Sequence, residues 1–503
     1  MRNAHHVAAV RAAESELMAK VPEDALMQRA AAGLASVCIG LLPAVYGSRV
    51  VVLAGSGDNG GDALYAGARL AARGAVVTAV AAATRVHEAG ASALRDNGGR
   101  LVEAADAASP AGRASADRAL AVADLVIDGL LGIGGHGGLR EPAASLAAAA
   151  ERAPGPVVAV DLPSGIDADT GEVAGAAVTA DVTVTFGTLK PGLLIDPGAS
   201  HAGVVEFVDI GLGGFLGPPA VAAAQAADIA DWLPRPTAES DKYRRGVLGI
   251  VAGSDRFTGA APLAVGGAIR GGAGMVRLVS SEIPVGLVRQ RWPEAVITTT
   301  HAGLEGAAAI EQAGRVQAWT AGPGMGTGDE SLSLLAAVLA TDVPVLVDAD
   351  GITLLAAHRG ELLPRPAATL LTPHAGELSR LLGADRADIE ARRLHFTTQA
   401  AAELGCTVLL KGSTTVIASP DPDEEVLVNP TGTSWLATAG SGDVLSGLAG
   451  SLLAQGLDPA RAAAAAAYLH GIAARLAADG APIGSEDIIT ALPAAIRTVE
   501  SRT

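Results

Sequence analysis

The sequence predicts an α/β fold divided into two domains. Short apolar runs rich in valine alternate with glycine-initiated helical patterns along the chain, which is typical of parallel sheets covered by helices. The chain has 503 residues, 50% of them hydrophobic, which is more than a single core usually accommodates. A segment rich in Gly, Pro and Ala at 211–236 interrupts the alternation. We therefore expect an N-terminal domain at 1–213, a linker at 214–226 and a C-terminal domain at 227–503.

The first half opens with helices and continues as a βαβ unit. Apolar positions that recur every three or four residues predict helices within 7–40, with a start signal at Pro22 to Asp24. The apolar run 49–55 predicts a buried parallel strand, which leads through a glycine turn into a helix and then a second strand at 75–83. Three more strand-to-loop segments follow, at 123–142, 156–173 and 180–194.

The glycine turn after the first strand allows two interpretations. Gly55, Gly57 and Gly60 match the dinucleotide fingerprint G-x-G-x-x-G, so a simple Rossmann dehydrogenase is one candidate. The next strand, however, ends without the acid that would bind a ribose hydroxyl. The loop also carries Asp58 and Asp62, whose charges would repel a pyrophosphate. These acids indicate either a bridging cation or helix capping around a tight turn.

Polar side chains follow the predicted strands of the first half. Ligands of an open α/β sheet bind outside the carboxyl ends of its strands, so these side chains predict a binding site. The chain has four lysines among 36 basic residues, and three of them fall inside motifs, which indicates positions that need a compact point charge. The strand-end residues of this half are Asn59, Asp128, Asp161, Ser164 and Lys190.

The second half repeats the alternation of strands and helices, and polar groups again collect where strands end. Taken singly, Glu377 is explained as a helix cap and His374 as a buried histidine in a turn. The strand-containing segments are 241–254, 261–280, 316–326, 344–355, 368–383 and 406–419. The polar strand-end residues are Asp348, Asp350, His374, Glu377 and Lys411.

The stretch 429–447 carries the strongest chemical signal of the second half. Gly440, Ser441 and Gly442 precede Asp443 and an apolar pattern that predicts a buried helix. Unpaired amides and the helix dipole favour an anion at that N-terminus, and glycine lets a phosphate approach the backbone. Asp443 would either cap the helix or take a proton from a hydroxyl while the amides hold a phosphoryl group.

Composition excludes several classes of function. The net charge of -17 and pI near 5.0 argue against nucleic acid as a partner. Cys38 and Cys406 are too few for a disulfide framework. No apolar run reaches the ~18 residues of a membrane span, and no signal peptide is recognisable, so we expect a cytoplasmic protein without a membrane partner. We also expect a homo-oligomer.

Four ordered motifs, DNGGDA, VIDGLLG, VDLPSGID and FGTLKPG, resemble the epimerase domain of the bifunctional NAD(P)H-hydrate repair enzymes. The resemblance implies a Rossmann-like three-layer sandwich over about 1–213, with a potassium ion held by Asn59, Asp128 and Ser164. Asp161 corresponds to a substrate-contacting acid, and we expect it to move a proton together with Lys190. The other residues implied to bind the hydrated nucleotide are Asp58, Asn59, Gly60, Gly61, Asp62, Gly132, Ile133, Gly134, Gly135, His136, Gly137 and Gly138.

By pattern, the second half is similar to ribokinase-like small-molecule kinases, which combine a nucleotide site, a glycine-rich anion hole and an Asp base. TPHAGE, KGSTT and NPTG…GSGDVLSG together resemble the ADP- or ATP-dependent NAD(P)H-hydrate dehydratases over about 227–503. The resemblance implies Mg²⁺ with ADP or ATP, and Asp443 as the base. The residues implied to bind nucleotide are Lys411, Gly412, Ser413, Thr414, Thr415, Gly440, Ser441 and Gly442. Those implied to bind the hydrate are Ala261, Gly324, Gly326, His374 and Asp443.

The two resemblances together predict a metabolite repair enzyme. We expect the N-terminal domain to interconvert the R and S forms of hydrated NAD(P)H, NADHX and NADPHX, and the C-terminal domain to dehydrate the S form. One alternative is a kinase of a small hydroxylated metabolite fused to a nucleotide-binding domain. Another is that the N-terminal domain only binds a nucleotide or a protein partner.

Overall fold

The protein is described by a computed structural model, which covers residues 1–102 and 110–500. The chain forms two compact units, one of residues Asn3–Val221 and one that starts at Ala222 and includes Met1–Arg2. The boundary falls inside 214–226, the segment expected to be a linker. Within the described ranges, no helix is long and apolar enough to cross a membrane.

The first unit contains a sheet of seven strands among its described residues. In chain order up to residue 221, the elements are β1 (Arg2–Ala4), α1 (Val7–Met18), α2 (Ala25–Leu41), β2 (Arg49–Ala54), α3 (Asp58–Ala71), β3 (Val76–Ala81), α4 (Glu88–Asp96), β4 (Arg100–Val102), α5 (Pro110–Leu120), β5 (Leu125–Gly129), α6 (Ala143–Ala150), β6 (Val157–Val160), β7 (Val182–Phe186), a 3-10 turn (Pro191–Leu193), α7 (Gly198–His201) and β8 (Val204–Val208).

The strand order of this sheet, β4-β3-β2-β5-β6-β7-β8, contains one reversal. All neighbouring strands pair in parallel, for example Val50 with Val77 of β3 and with Leu125 of β5. The order reverses between β2 and β5, and ligands of such sheets bind at that point outside the carboxyl ends. The expected βαβ unit and the strands before Asp128 and Asp161 are confirmed.

The second unit carries a larger mixed sheet. Its elements are β9 (Val221–Ala223), α8 (Ala226–Trp232), β10 (Val247–Val251), α9 (Ala260–Arg270), β11 (Met275–Ser280), α10 (Glu282–Arg291), β12 (Val296–Thr299), α11 (Gly306–Ala313), β13 (Ala318–Ala321), α12 (Asp329–Leu339), β14 (Val345–Val347), α13 (Ala349–Ala357), α14 (Arg359–Leu362), β15 (Thr369–Leu371), α15 (Ala375–Leu382), α16 (Arg386–Ala391), α17 (Arg393–Leu404), β16 (Thr407–Leu410), β17 (Thr415–Ala418), β18 (Val426–Asn429), a 3-10 turn (Ser434–Leu436), α18 (Ser441–Ala454), α19 (Pro459–Ala478) and α20 (Ser485–Glu500).

The order of this sheet is β1-β9-β18-β17-β16-β15-β14-β13-β10-β11-β12. Strands from β16 to β12 pair in parallel, whereas β17 pairs antiparallel with both β16 and β18. Helix α18 packs closely against α9. A Cβ atom added at Gly447 would lie only 1.9 Å from the carbonyl oxygen of Ala264, so the two helices approach this closely because position 447 is glycine. This contact fixes the N-terminus of α18 beside the carboxyl ends of the parallel strands.

Two local expectations need correction. Helix α2 does begin after the start signal, but Asp24 has a φ of 62° and its side chain does not cap the helix. Part of the expected linker is regular structure, since 214–226 contains β9 and the first residue of α8. The two cysteines, Cys38 and Cys406, are free and buried.

Candidate active sites

The first site lies at the carboxyl ends of β2, β5, β6 and β7, where Asp161 and Lys190 form a buried ion pair. Asp161 has a φ of 64°, a costly backbone conformation that is typical of functional positions. Lys190 Nζ donates to Asp161 Oδ1, and at 3.2 Å to both Thr185 Oγ1 and Phe186 O. Thr185 Oγ1 and Phe186 N donate to the same Asp161 Oδ1 at 3.1 Å. In the described chain, these bonds use all three donors of Lys190 and leave Asp161 Oδ2 for a ligand.

Asp128, Ser164 and Asn59, the residues expected to hold potassium, meet around one backbone segment. Ser164 donates from N to Asp128 Oδ2 at 2.9 Å and from Oγ to Oδ1 at 2.7 Å. Asn59 Nδ2 donates to Leu131 O at 2.9 Å, and Leu131 N donates to Ser164 Oγ at 2.8 Å. Burial raises the pKa of Asp128 to about 6, although hydrogen bonds from Ser164 and Leu130 oppose the rise. These oxygen ligands fit a hard cation, which would favour the ionised carboxylate.

Two further acids, Asp62 and Glu14, lie near the Asp161–Lys190 pair. Asp62 is 9% exposed, and its Oδ1 has no hydrogen-bond partner among the described residues. Burial raises the pKa of Asp62 well above its usual range, and the charges of Asp161, Asp58 and Glu14 raise it further. Burial also raises the pKa of Glu14 on α1. Helix capping does not explain Asp58 and Asp62, because the N-cap of α3 is Gly57 and no side chain caps that helix.

The glycine loop 132–138 contributes backbone more than side chains to this site. Gly138 lies directly against Gly175, where a Cβ would come within 2.5 Å of the neighbouring Cα. His136 is mostly exposed, with Nδ1 3.2 Å from Asp167 Oδ2. Ile133 packs on the core beneath the loop, so its contribution to ligand binding would come from its main chain.

The second site lies at the N-terminus of α18. Gly440, with a φ of 83°, is the N-cap of this helix, and no side chain caps it. Asp443 is therefore not the N-cap but the third residue of the helix. Burial raises the pKa of Asp443 to about 7, and the charge of Asp348 adds to this rise while Lys411 opposes it. A carboxylate that titrates near neutral pH is suited to act as a base.

A buried acid connects Lys411 with the first turn of α18. Lys411 Nζ donates to Asp348 Oδ1 at 2.7 Å and lies 3.9 Å from Glu377 Oε2. Ser446 Oγ donates to Asp348 Oδ2 at 2.6 Å and to Gly442 O at 3.0 Å. Burial lowers the pKa of Lys411, but Asp348 and Glu377 raise it by more, so the lysine stays charged.

His374 and Glu377 form a reciprocal cap at the start of α15. His374 Nδ1 accepts from Gly376 N at 3.0 Å and Glu377 N at 3.2 Å, while Glu377 Oε2 accepts from His374 N at 2.8 Å. The interpretation of Glu377 as a cap is confirmed. His374 is not a buried turn histidine, since its side chain is 54% exposed. Burial of its ring and the charge of Lys411 lower its pKa.

The loop after β13 is tied to the acids that follow β14. Gly326 N donates to Asp350 Oδ2 at 2.9 Å, and Ser254 Oγ donates to Gly324 O at 2.8 Å. Ala261, expected to contact the hydrate, is fully buried within α9, so this arrangement gives it no surface for a ligand. Ala260, one position earlier, is also buried and lies against Gly324.

The Arg393 side chain stabilises the KGSTT turn at 411–415 through hydrogen bonds to its backbone. The guanidinium donates to Lys411 O at 3.3 Å and to Thr414 O at 3.5 Å. Gly412 lies against the same guanidinium, where a Cβ would come within 2.2 Å. Gly412 and Ser413 are exposed, whereas Thr414 is buried. The exposed part of the turn is therefore available to a nucleotide.

Comparison with known proteins places the chain in a family. The family model described as NAD(P)H-hydrate dehydratase matches residues 248–493, and the one described as YjeF-related protein N-terminus matches residues 23–192. The bifunctional NAD(P)H-hydrate repair enzyme Nnr of Mycobacterium leprae is 46% identical over 488 residues, or 96% of each chain. The chain belongs to the bifunctional NAD(P)H-hydrate repair enzyme family. The Nnr enzyme of Moorella thermoacetica is 36% identical and covers 90% of this chain and 88% of its own.

A solved structure extends the family relationship to the fold of the second unit. The ADP/ATP-dependent NAD(P)H-hydrate dehydratase of Bacillus subtilis, co-crystallized with ATP/Mg²⁺, covers 55% of this chain and 98% of its own, with a TM-score of 0.50 and 30% identity. A ribokinase-like superfamily protein from Enterococcus faecalis shares the fold at a TM-score of 0.50 and 23% identity. The expected α/β fold class and membership of the NAD(P)H-hydrate repair family are thus confirmed.

Several residues in the two sites of this repair-family member were not singled out from sequence as site residues. Asp348 and Glu377 were visible as strand-end polar groups, which was the available signal. Glu14 sits in a helix far along the chain from the glycine loop, and no motif marks it. His470 of α19 is buried, and burial lowers its pKa to about 4.

Proposed function

We propose that this enzyme repairs hydrated NAD(P)H in two steps: it epimerises the R and S forms of NADHX and NADPHX, and it dehydrates the S form at the expense of ADP or ATP. Membership of the repair family supports the reaction class. The observation that carries the dehydration step is the position of Asp443, whose pKa is near 7, behind an uncapped helix N-terminus. A base and an anion site at one place are what phosphoryl transfer to a hydroxyl needs.

In the dehydration step, Asp443 takes the proton of the C6 hydroxyl. The hydroxyl oxygen attacks the terminal phosphorus of ADP or ATP, and the bond to the nucleotide's bridging oxygen breaks with its electron pair. The amides of Gly440 to Gly442 stabilise the phosphoryl oxygens, and Lys411 supplies a point charge beside them. Phosphate then leaves C6 with the electron pair of that bond. Loss of a proton from C5 restores the ring double bond.

Mg²⁺ with the nucleotide fits the charge of this second site. No group of three or more His, Cys, Asp or Glu side chains suited to a metal is found in the described residues. Asp348 is already engaged by Lys411 and Ser446. Mg²⁺ would therefore arrive on the phosphates, as is common for nucleotide-dependent enzymes, and would neutralise the charge that develops on them.

In the epimerisation step, the Asp161 Oδ2 atom accepts the proton of the C6 hydroxyl as the bond between C6 and N1 breaks. The ring opens to an aldehyde, N1 gains a proton, and reclosure on the other face of the carbonyl reverses the configuration at C6. Lys190 holds Asp161 through Oδ1 and offsets its charge. The protonated form of Asp62, whose pKa is raised, is suited to deliver a proton in this site.

Potassium fits the cluster of Asp128, Ser164 and Asn59. These residues would hold it through carboxylate, hydroxyl and amide oxygens, near the glycine loop that is proposed to bind the hydrate. The ion would supply the positive charge that the buried Asp128 carboxylate lacks among its hydrogen-bond partners Ser164 and Leu130.

The division of labour follows the two units, with epimerase residues before 214 and dehydratase residues after 226. We expect the enzyme to act in the cytoplasm on small molecules, and to form a homo-oligomer. Light scattering coupled to size-exclusion chromatography measures the oligomeric state.

The test is recovery of reduced-nicotinamide absorbance from a mixture of hydrate epimers with Mg²⁺ and ADP or ATP, with and without K⁺. Complete recovery, faster than spontaneous epimerisation allows, supports both activities. Recovery that stops at the share of one epimer leaves a dehydratase and rejects the epimerase. Absence of recovery with either nucleotide, together with a stable phosphorylated product from a small alcohol, would replace the proposal by the kinase alternative.

A further inference from the structure

Asp348, the acid that ends β14, is the best-connected side chain of the second site. It is 1% exposed, and its two oxygens bind different elements. Oδ1 accepts from Lys411, which follows β16, and Oδ2 accepts from Ser446 of α18. Ser446 in turn bonds the carbonyl of Gly442 in the glycine loop. Asp348 thus joins the lysine to the helix turn that carries Asp443.

Lys411 lies next to Asp443 without pairing with it. Among the ion pairs of the described chain, Lys411 is joined to Asp348 and Glu377. A Cβ placed on Gly442 would lie 3.5 Å from Lys411 Nζ, so the ammonium faces the residue just before Asp443. Lys411 and Asp443 also influence each other's pKa by charge, so the two groups are close enough to interact.

We propose that Asp348 is a positioning residue for dehydration: it holds the Lys411 ammonium beside the glycine loop and prevents it from pairing with Asp443. The inference rests on the proposed function of the second site. A paired Asp443 would be neutralised and would bind the hydroxyl proton weakly. By occupying Lys411, Asp348 keeps the carboxylate of Asp443 free and basic while the lysine remains available to the nucleotide phosphates.

The charges around Asp443 support this role. Asp348, Asp350 and Glu377 raise its pKa, whereas Lys411 lowers it. Among the other elements packed on α18, β10, β13 and β14 have no ionisable side chain, and α9 has Arg270 in its last turn. His470 of α19 lies near Ser441 and favours its neutral form. In the first turn of α20, the acids Glu486 and Asp487 are exposed. The Asp348–Lys411 pair therefore dominates the local balance of charge.

A purely structural role for Asp348 makes a different prediction. A buried ion pair that only braces strand ends would lower stability when broken, and the ionisation of Asp443 would change only by the effect of losing one nearby carboxylate charge. The pH dependence of the reaction separates the two roles, because kcat/KM falls at low pH as the base becomes protonated.

The experiment compares the wild type with Asp348→Asn. The acid limb of kcat/KM for the S hydrate with Mg-ADP should move to lower pH by ~1–3 units, because one negative charge is lost and Lys411 is free to pair with Asp443. The plateau rate should fall as well, since the weaker base binds the proton less tightly. An acid limb that stays in place while kcat falls would overturn the proposal in favour of a structural role.

Asp350→Asn is the matched control. Asp350 also raises the pKa of Asp443, but it bonds Gly326 N and not Lys411. The Asp350→Asn substitution removes a negative charge but leaves Lys411 bound to Asp348. The acid limb of kcat/KM should therefore move to lower pH by less than it does in Asp348→Asn. Equal shifts in the two variants would show that charge alone matters and would reject the holding role.

Lys411→Gln keeps the proposal testable if Asp348→Asn does not fold. Its acid limb should move to higher pH, opposite to Asp348→Asn, and an unmoved limb would overturn the proposal. Where turnover is too slow, the pKa of Asp443 is obtained from two proton titrations. The titration curve of each variant that also carries Asp443→Asn is subtracted from the curve of the same variant with Asp443 intact. A wild type that fails to dehydrate would reject the proposed function itself, whereas an active wild type with unmoved variant limbs rejects only this inference.

Discussion

Replacing Asp443 with Asn should abolish dehydration while the fold is kept. The wild-type pKa of Asp443 is raised to about 7, so the ionised fraction falls from about nine-tenths at pH 8 to about one-tenth at pH 6. Wild-type kcat/KM should therefore fall about tenfold between these pH values. Loss of the general base in Asp443→Asn should cost ~10²–10⁴-fold, or about 3–5 kcal/mol of transition-state stabilisation. The assay is recovery of reduced-nicotinamide absorbance from the S hydrate with Mg-ADP.

The Asp443→Asn substitution should increase the stability of the fold at high pH, although it removes the activity. A carboxyl with a raised folded-state pKa destabilises the fold as pH rises from about 4 to above 7, because the folded protein holds that proton more tightly than the unfolded chain. The shift from 3.8 to about 7 sets an upper limit of ~4 kcal/mol, which partial solvent exposure reduces. Asp443→Asn should thus unfold at higher urea concentration than wild type at pH 8. A pH-independent wild-type rate, or a variant that is both inactive and less stable, would contradict the assignment of Asp443 as a base with a raised pKa.

Four other changes test the remaining sites. Asp161→Asn should abolish epimerisation and leave dehydration of pure S hydrate intact, which recovery from separated epimers measures. Gly442→Ala should weaken ADP binding about tenfold or more, because the added Cβ occupies the space through which the phosphate approaches the backbone amides. The loss of stability should be small, since this Cβ makes only ordinary contacts with protein atoms. Calorimetry measures the affinity for ADP. Lys190→Arg should lower the epimerase rate, since a guanidinium does not fit the three buried acceptors of the ammonium, whereas Lys20→Arg on the surface should have no effect. Relative to Asp128→Asn, wild type should lose about 2 kcal/mol of unfolding free energy between pH 4 and 7, because the folded pKa of Asp128 is about 6. K⁺ should restore part of this stability in urea titrations.

The positions of both candidate sites could be predicted from sequence, because ligands of open parallel sheets bind at the carboxyl ends of the strands. Every strand that runs in parallel delivers its last residue to the same edge, so motifs such as Asp128 and Asp161 at strand ends were certain to approach one another once the strands were recognised. The same rule brought Asp348, His374 and Lys411 to one edge of the second sheet. Glycine in the loops marked where the backbone comes close to another chain segment, as at Gly138.

Sequence alone did not reveal which charged groups pair. Lys411 and Asp348 are 63 residues apart, and their contact depends on β14, β15 and β16 being neighbours in the sheet. Glu14 comes from an N-terminal helix whose apolar pattern specifies the buried face but not the site beside it.

The surroundings of Lys190 and Lys411 explain why lysine, and not arginine, is suited to these two positions. Lys190 and Lys411 are two of only four lysines, and each donates to a strand-end carboxylate in a buried setting. Each pair lies beside another acid, Asp62 or Asp443, whose pKa is raised by burial first and then by the neighbouring carboxylates. A compact ammonium can offset one carboxylate without contacting the second, whereas the wide fork of arginine would tend to bridge both acids and suppress the proton affinity of the second. Because arginine is preferred elsewhere in the chain, lysine at these two positions indicates a need for a compact ammonium that leaves the adjacent carboxyl able to take up a proton.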